Sequence, residues 1–198
     1  MRTITAILFL TMSFSIMAKA QDMAKIEAIK DEVSLSVEKN EKLVQEIVDS
    51  LFSFSELGFQ EYETQRYISE VLLDNGFRVE KGVAGLPSGW IAKWGSGHPI
   101  IALGTDVDGI PKASQKPGVA YKAPLIEGAP GHGEGHNSGM AVILTAALAL
   151  QDVMMRENLP GTLVIWPGIA EELLAGKAFM TREGLFDDVD AVLFTHVS

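Results

Sequence analysis

From Met23 to Leu51 the apolar residues Ile26, Ile29, Val33, Val37, Val44, Ile47, Val48 and Leu51 keep close to a 3.6-residue rhythm. That spacing predicts one or two amphipathic helices. A second helical rhythm runs over Glu61–Asn75 with Ile68, Val71 and Leu72, and Gly76 stands where a left-handed C-terminal cap belongs. The pattern then shortens. Phe77–Lys81, Trp90–Trp94 and Ile100–Leu103 read as strands separated by glycine-bearing turns such as Gly95-Ser96-Gly97. Asp106–Pro130 loses periodicity and holds four prolines. It reads as a long loop, and long loops in compact domains are often functional. Met140–Met155 is apolar on most sides, which predicts a buried helix capped by Asn137 or Ser138. Gly161–Trp166 reads as a compact strand, Leu173–Arg182 as a helix and Ala191–Phe194 as a last strand.

Strands alternating with helices in this half predict the α/β class, with a parallel sheet covered on both faces. In such sheets ligands sit beyond the carboxyl ends of the strands. The polar candidates fall there: Asp106 and Asp108 follow one strand, Glu171 and Glu172 another, and His196 a third. Gly131–Asn137 leads into the long apolar helix of the same layer. His98, in the turn Gly97-His98-Pro99, lies at the opposite end of its strand and reads as an ordinary turn residue.

In Gly131-His132-Gly133-Glu134-Gly135-His136-Asn137 three groups able to bind a metal alternate with glycines. In extended backbone, residues two apart point the same way, so His132, Glu134 and His136 can converge. Imidazole and carboxylate together suit a divalent ion, although a surface turn rich in glycine and histidine has the same composition. The adjacent acids Glu171 and Glu172 can simply favour a helix dipole. Alternatively they divide two jobs, one holding a metal and the other taking a proton from a metal-bound water. A bound ion brings that water's pKa from about 15.7 to about 7, within reach of a carboxylate base. Asp106 is either a turn residue or an acceptor that orients a histidine ring. His196 is either a polar strand end or a further ligand.

Other chemistries fail on inspection. The dinucleotide spacing is broken because His136 stands where its last glycine belongs. The glycines around His132 and His136 oppose a helical zinc-protease motif, and neither a G-x-S-x-G elbow nor a phosphate loop occurs. The absence of cysteine excludes thiol catalysis, cysteine ligands and disulfides. A formal net charge of -10 argues against nucleic acid and against an anionic membrane surface. The first twenty residues read as a signal peptide: Arg2, the apolar run Ile4–Met17, then Ala18-Lys19-Ala20 before Gln21. The run is short for a membrane span, which needs about 20 apolar residues. The expected organisation is therefore a leader over residues 1–20 and a domain over 21–198, exported to the periplasm or outside the cell. No membrane association is expected after cleavage; an uncleaved anchor is the alternative.

Five stretches together carry a resemblance. They are Glu56-Leu57-Gly58-Phe59 with Glu61, Gly104–Pro111, Gly131–Asn137, Ala170-Glu171-Glu172 followed by Gly176-Lys177-Ala178-Phe179, and Phe194-Thr195-His196. In this order they resemble a family of co-catalytic metallopeptidases and amidohydrolases. It includes aminoacylases, carboxypeptidase-like enzymes, indole-acetyl-amino-acid hydrolases and aminobenzoyl-glutamate hydrolases, and the chain looks most like the last branch. The resemblance implies a three-layer α/β/α zinc-peptidase-like catalytic domain. It implies Glu171 as general base, Glu172, His196 and His136 as metal ligands, Asp106 as the residue orienting the site, and two zinc or manganese ions. The expected substrate is a small molecule, an N-acyl or aryl-acyl amino acid or a dipeptide, cleaved at its amide. Glu134 stands where the family commonly has cysteine; as a ligand it is a harder donor and favours manganese. Family members are about twice as long and homodimeric. They carry an inserted lid-and-dimerisation domain and a later metal-binding histidine, so the chain is expected to match their N-terminal half only. Two other readings stay open: an inactive metal- or ligand-binding remnant, and a structural α/β domain whose carboxylates cap helices.

Overall fold

The computed structural model describes residues 23–196. The expected leader, residues 1–20, lies outside them. The chain divides into two units, one ending at Lys39 and the other beginning at Asn40. In the first, residues 23–39 form helix α1, with Lys30 Nζ 2.7 Å from Glu27 Oε1 one turn earlier.

The second unit opens with α2 (Glu41–Phe54), which ends where Ser55 turns left-handed and its N–H closes on the Leu51 carbonyl. The continuous rhythm over Met23–Leu51 is thus two helices, broken at Asn40. Helix α3 (Tyr62–Asp74) follows. Its first amides are capped by Glu56, whose two carboxylate oxygens accept the Glu63 and Thr64 N–H groups at 2.8 Å each. Gly76 is left-handed, as its position predicts.

Five strands form one mixed sheet: β1 (Arg78–Lys81), β2 (Trp90–Ser96), β3 (Ile100–Asp106), β4 (Gly161–Gly168) and β5 (Ala191–Thr195). Their order is β1-β2-β4-β3-β5. Strands β4, β3 and β5 run parallel, as the alternation with helices predicts, whereas β1 and β2 are antiparallel to their neighbours. The reason is local: β1 and β2 are joined by a short connection closed by Gly82 N–H on the Gly89 carbonyl, too short for a parallel crossover. Every residue of the central strand β4 is buried, which explains its unbroken apolar run. Around it pack Ile47, Leu51, Ile68, Leu72, Trp90, Met140 and Leu144, all fully buried. Removing each of these side chains from water stabilises the fold by about 1.5–3 kcal/mol.

Two helices differ from expectation, and both differences serve the rim of the sheet. Helix α4 spans His136–Arg156, starting four residues before Met140. Neither Asn137 nor Ser138 caps it. Gly135 enters it left-handed at φ 83, the Ser138 hydroxyl donates back to the Gly135 carbonyl, and the Asn137 amide donates to Val48. The helix predicted over Leu173–Arg182 is only α5 (Gly176–Arg182). Before it, left-handed Ala170 and Leu174 bracket a single 3-10 turn, Glu171–Leu173.

Candidate metal centre

Three parallel strands end at one rim. Strand β3 delivers Asp106 and, two residues on, Asp108; β4 leads through Ile169 and Ala170 to Glu171-Glu172; β5 leads to His196. The N-terminus of α4 places His136 among them. Gly168 must be glycine here, since a Cβ would run into the Asp106 carboxylate. Ala170 holds a left-handed conformation (φ 50, ψ 45), which destabilises an L-residue by roughly 1–2 kcal/mol.

His136 is the hub, with only 3% of its side chain exposed. Its Nδ1 lies 2.9 Å from the Asp108 carbonyl and 3.6 Å from Asp108 Oδ1. The carbonyl fixes the tautomer: Nδ1 carries the donated proton, which leaves Nε2 free to ligate. That Nε2 is 3.3 Å from His196 Nε2, 3.7 Å from Glu134 Oε2 and 3.9 Å from Glu171 Oε2. His196 Nε2 in turn lies 3.7 Å from Glu134 Oε2 and 3.8 Å from Asp106 Oδ2. Two sets of donors result, Asp106, His136, Glu171 and His196 in one and Glu134, His136, Glu171 and Glu172 in the other. Within each set the donor atoms lie within 4.8 Å of one another.

These spacings match a metal centre. Nitrogen and oxygen ligands about 2.1 Å from a tetrahedral ion stand roughly 3.4 Å apart. The charge balance points the same way. Glu172 is raised above the usual carboxylate range by burial and by the charges of Glu134 and Asp108. Asp106 is also raised by burial, although Lys177 opposes the shift. Burial disfavours the charged form of His136, but the Asp108 side chain and carbonyl, with the Asp106 charge, outweigh it and lift His136 to about 9. The cluster therefore attracts positive charge. Glu172 Oε1 is buried without a hydrogen-bond partner, which is costly unless a cation serves it. The donors fit a divalent ion.

All six expected site residues, Asp106, Glu134, His136, Glu171, Glu172 and His196, come together. His132 does not. Its Nε2 lies 3.0 Å from the Leu51 carbonyl, on α2. Its alternation with Glu134 and His136 fails because the chain turns after it: the Gly135 N–H closes on the His132 carbonyl at 3.4 Å, and Gly135 is left-handed. His98 sits apart, as expected, paired with Asp190. The acceptor that orients His136 is Asp108 rather than Asp106. Both Asp106 oxygens instead face Lys177 Nζ, at 2.8 and 3.0 Å, and that ammonium also lies 4.4 Å from the centre of the Phe194 ring. Asp108 does further work, its Oδ2 accepting the Glu172 N–H at 3.1 Å. Its place two residues past the end of β3 was a visible signal. Lys177, next to the acidic pair, was a visible cation with no evident partner.

No family model matches the chain. Over 161 residues it is 34% identical to one of the p-aminobenzoyl-glutamate hydrolase polypeptides of Escherichia coli, covering 81% of this chain and 34% of the relative. Over 180 residues it is 31% identical to IAA-amino acid hydrolase ILR1-like 2 of Arabidopsis thaliana, covering 90% and 39%. Among solved structures, a dinuclear metal-binding peptidase of the M20 family from Bacillus subtilis superposes with TM-score 0.64 at 26% identity, over 79% of this chain and 44% of that one. The resemblance read from the sequence holds. The chain's homologues are aminobenzoyl-glutamate and IAA-amino acid hydrolases, and its fold is that of M20 peptidase catalytic domains. It spans between a third and a half of the length of these relatives.

Proposed function

We propose that this chain contributes a dinuclear metal centre to an amidohydrolase that cleaves an N-acyl or aryl-acyl amino acid, or a dipeptide. The observation that carries the reading is the pair of donor sets sharing His136 and Glu171 at the ends of β3, β4 and β5. The names of the relatives supply the reaction class.

His136, His196, Glu134 and Glu172 hold the ions, and Asp108 fixes the ring of His136 through its carbonyl. Zinc or manganese both suit these donors, and the carboxylate of Glu134 tilts the balance toward manganese. Such an ion supplies Lewis acidity and lowers the pKa of water toward about 7. Glu171 lies in both sets with 22% of its side chain exposed, open enough to exchange protons. It accepts a proton from the attacking water and returns it to the departing amine nitrogen. Asp106, ion-paired with Lys177, orients the His196 side of the cluster. The reading includes export, from the pattern of residues 1–20.

Metal analysis and an acyl-amino-acid panel test the proposal together. The chain is expected to retain a divalent ion after gentle purification and to hydrolyse at least one member of the panel. Glu171→Gln is expected to keep the metal and lose about 10²–10⁴-fold in kcat. Ordinary turnover by that variant would sink the base assignment. Metal uptake without turnover by the native chain would leave only the metal-binding remnant.

A further inference from the structure

Glu61 occupies the N-cap position of α3 but makes no cap bond there, because Glu56 takes that role. It is completely buried and belongs to neither donor set. Its Oε1 accepts the Ala170 N–H at 2.8 Å, and its Oε2 accepts the Ser88 hydroxyl at 2.6 Å. Ala170 is the left-handed residue immediately before Glu171 and Glu172. A backbone amide in so unfavourable a turn needs a partner, and a buried carboxylate is a strong one.

The neighbouring residues reinforce the grip. Gly58 lies so close that a Cβ would stand 2.9 Å from Ala170 Cα and 3.2 Å from Asp108 Oδ2. The Glu56 carbonyl accepts the Gly109 N–H at 2.7 Å, and Leu57 bridges Gly109. Residues 56–61 therefore hold both the loop after β3 and the turn after β4. Burial raises Glu61 above the usual carboxylate range, so the fold keeps it where an apolar side chain would be easier to accommodate.

We propose that Glu61 is a positioning residue that holds Ala170 in its left-handed turn and so sets where Glu171 and Glu172 present their carboxylates. The inference rests on the reading of those two as the working carboxylates. Glu61→Gln keeps an oxygen for the Ala170 N–H, and its amide can donate to Ser88. Glu61→Ala removes both contacts. Two readouts separate positioning from mere stability: hydrogen exchange of the Ala170 amide, and Mn²⁺ affinity of the folded chain. In Glu61→Ala the Ala170 amide is expected to lose protection while β4 keeps its own, and Mn²⁺ affinity to fall roughly 10–100-fold. Glu61→Gln is expected to stay within roughly threefold of native affinity, well inside that loss. Should Glu61→Ala fail to fold, Glu61→Asp, which draws the carboxylate back by one methylene, carries the same expectation. A folded variant with a lower melting temperature but native Mn²⁺ affinity and native Ala170 protection would overturn the proposal. If the native chain binds no Mn²⁺, the proposed function fails instead, and the exchange measurement still decides the brace: lost protection supports it and unchanged protection overturns it.

Discussion

The two ends of the sheet each carry a histidine beside an aspartate, and they are built in opposite ways. At one end, His98 Nδ1 lies 2.7 Å from Asp190 Oδ2, and the same oxygen accepts the Ile100 N–H at 2.6 Å; both side chains are largely exposed. That pair is open to solvent and served by one backbone amide, with no further ion pair on it among the described residues. At the other end His136 and Asp108 are buried beside five further ionisable donors. Water does not reach Asp106, Asp108 or His136, so at the buried side of the cluster a cation relieves the crowding. A histidine next to an aspartate is thus uninformative by itself; what distinguishes a centre is charge gathered where solvent is excluded.

Several measurements can break or sharpen this contrast. The largest effect is expected from His136→Ala, which removes a donor common to both sets. Loss of at least about 100-fold in divalent-ion affinity is expected, and titration with Mn²⁺ would show it; native affinity would mean the two sets are not the site. Chelation comes next. An ion present at about 100 times its Kd stabilises by about 2.7 kcal/mol, so a chelator should lower the melting temperature by roughly 5–10 °C for a domain of this size. An unchanged melting curve would remove the metal from the structure. Lys177→Met takes away the ammonium that holds Asp106 and is expected to weaken ion binding about 10-fold, read by the same titration.

The smallest effect belongs to the exposed pair. Asp190 is held below its ordinary value of 3.8, first by the Ile100 N–H and then by His98. A depressed carboxylate stabilises the fold above its unfolded pKa, and that stabilisation is lost as pH falls through the folded value. Asp190→Asn should therefore lower the melting temperature slightly and evenly above about pH 4, with the gap to the native chain closing in stronger acid and no change in metal content. A gap that widened in acid, or altered metal binding, would contradict the comparison.

Much of this was legible along the chain because local chemistry coincided with position. The apolar run of β4 announced a central strand, and Asp106, Glu171-Glu172 and His196 each follow a run that could only be a strand. What escaped was set by contacts between distant segments. Ala170 and Leu174 are left-handed although neither residue type favours such a turn, so a helix through Leu173–Arg182 was the natural reading. The turn is held by Glu61, over a hundred positions earlier, a contact with no local signature. His132 deceived for the reverse reason. Its alternation with Glu134 and His136 was perfect for extended chain, but a turn from His132 to Gly135 removed the extension.

The edge position of β5 has a consequence for how the ions would leave. This strand pairs only with β3 among the described residues, and most of it is exposed. Edge strands open locally at lower free energy than central ones. His196 follows directly on that edge, while no member of the Glu134, His136, Glu171 and Glu172 set depends on it. Fraying of β5 would strip one pocket of a donor and leave the other whole, so demetallation should proceed in two kinetic phases, the faster one belonging to the ion beside His196.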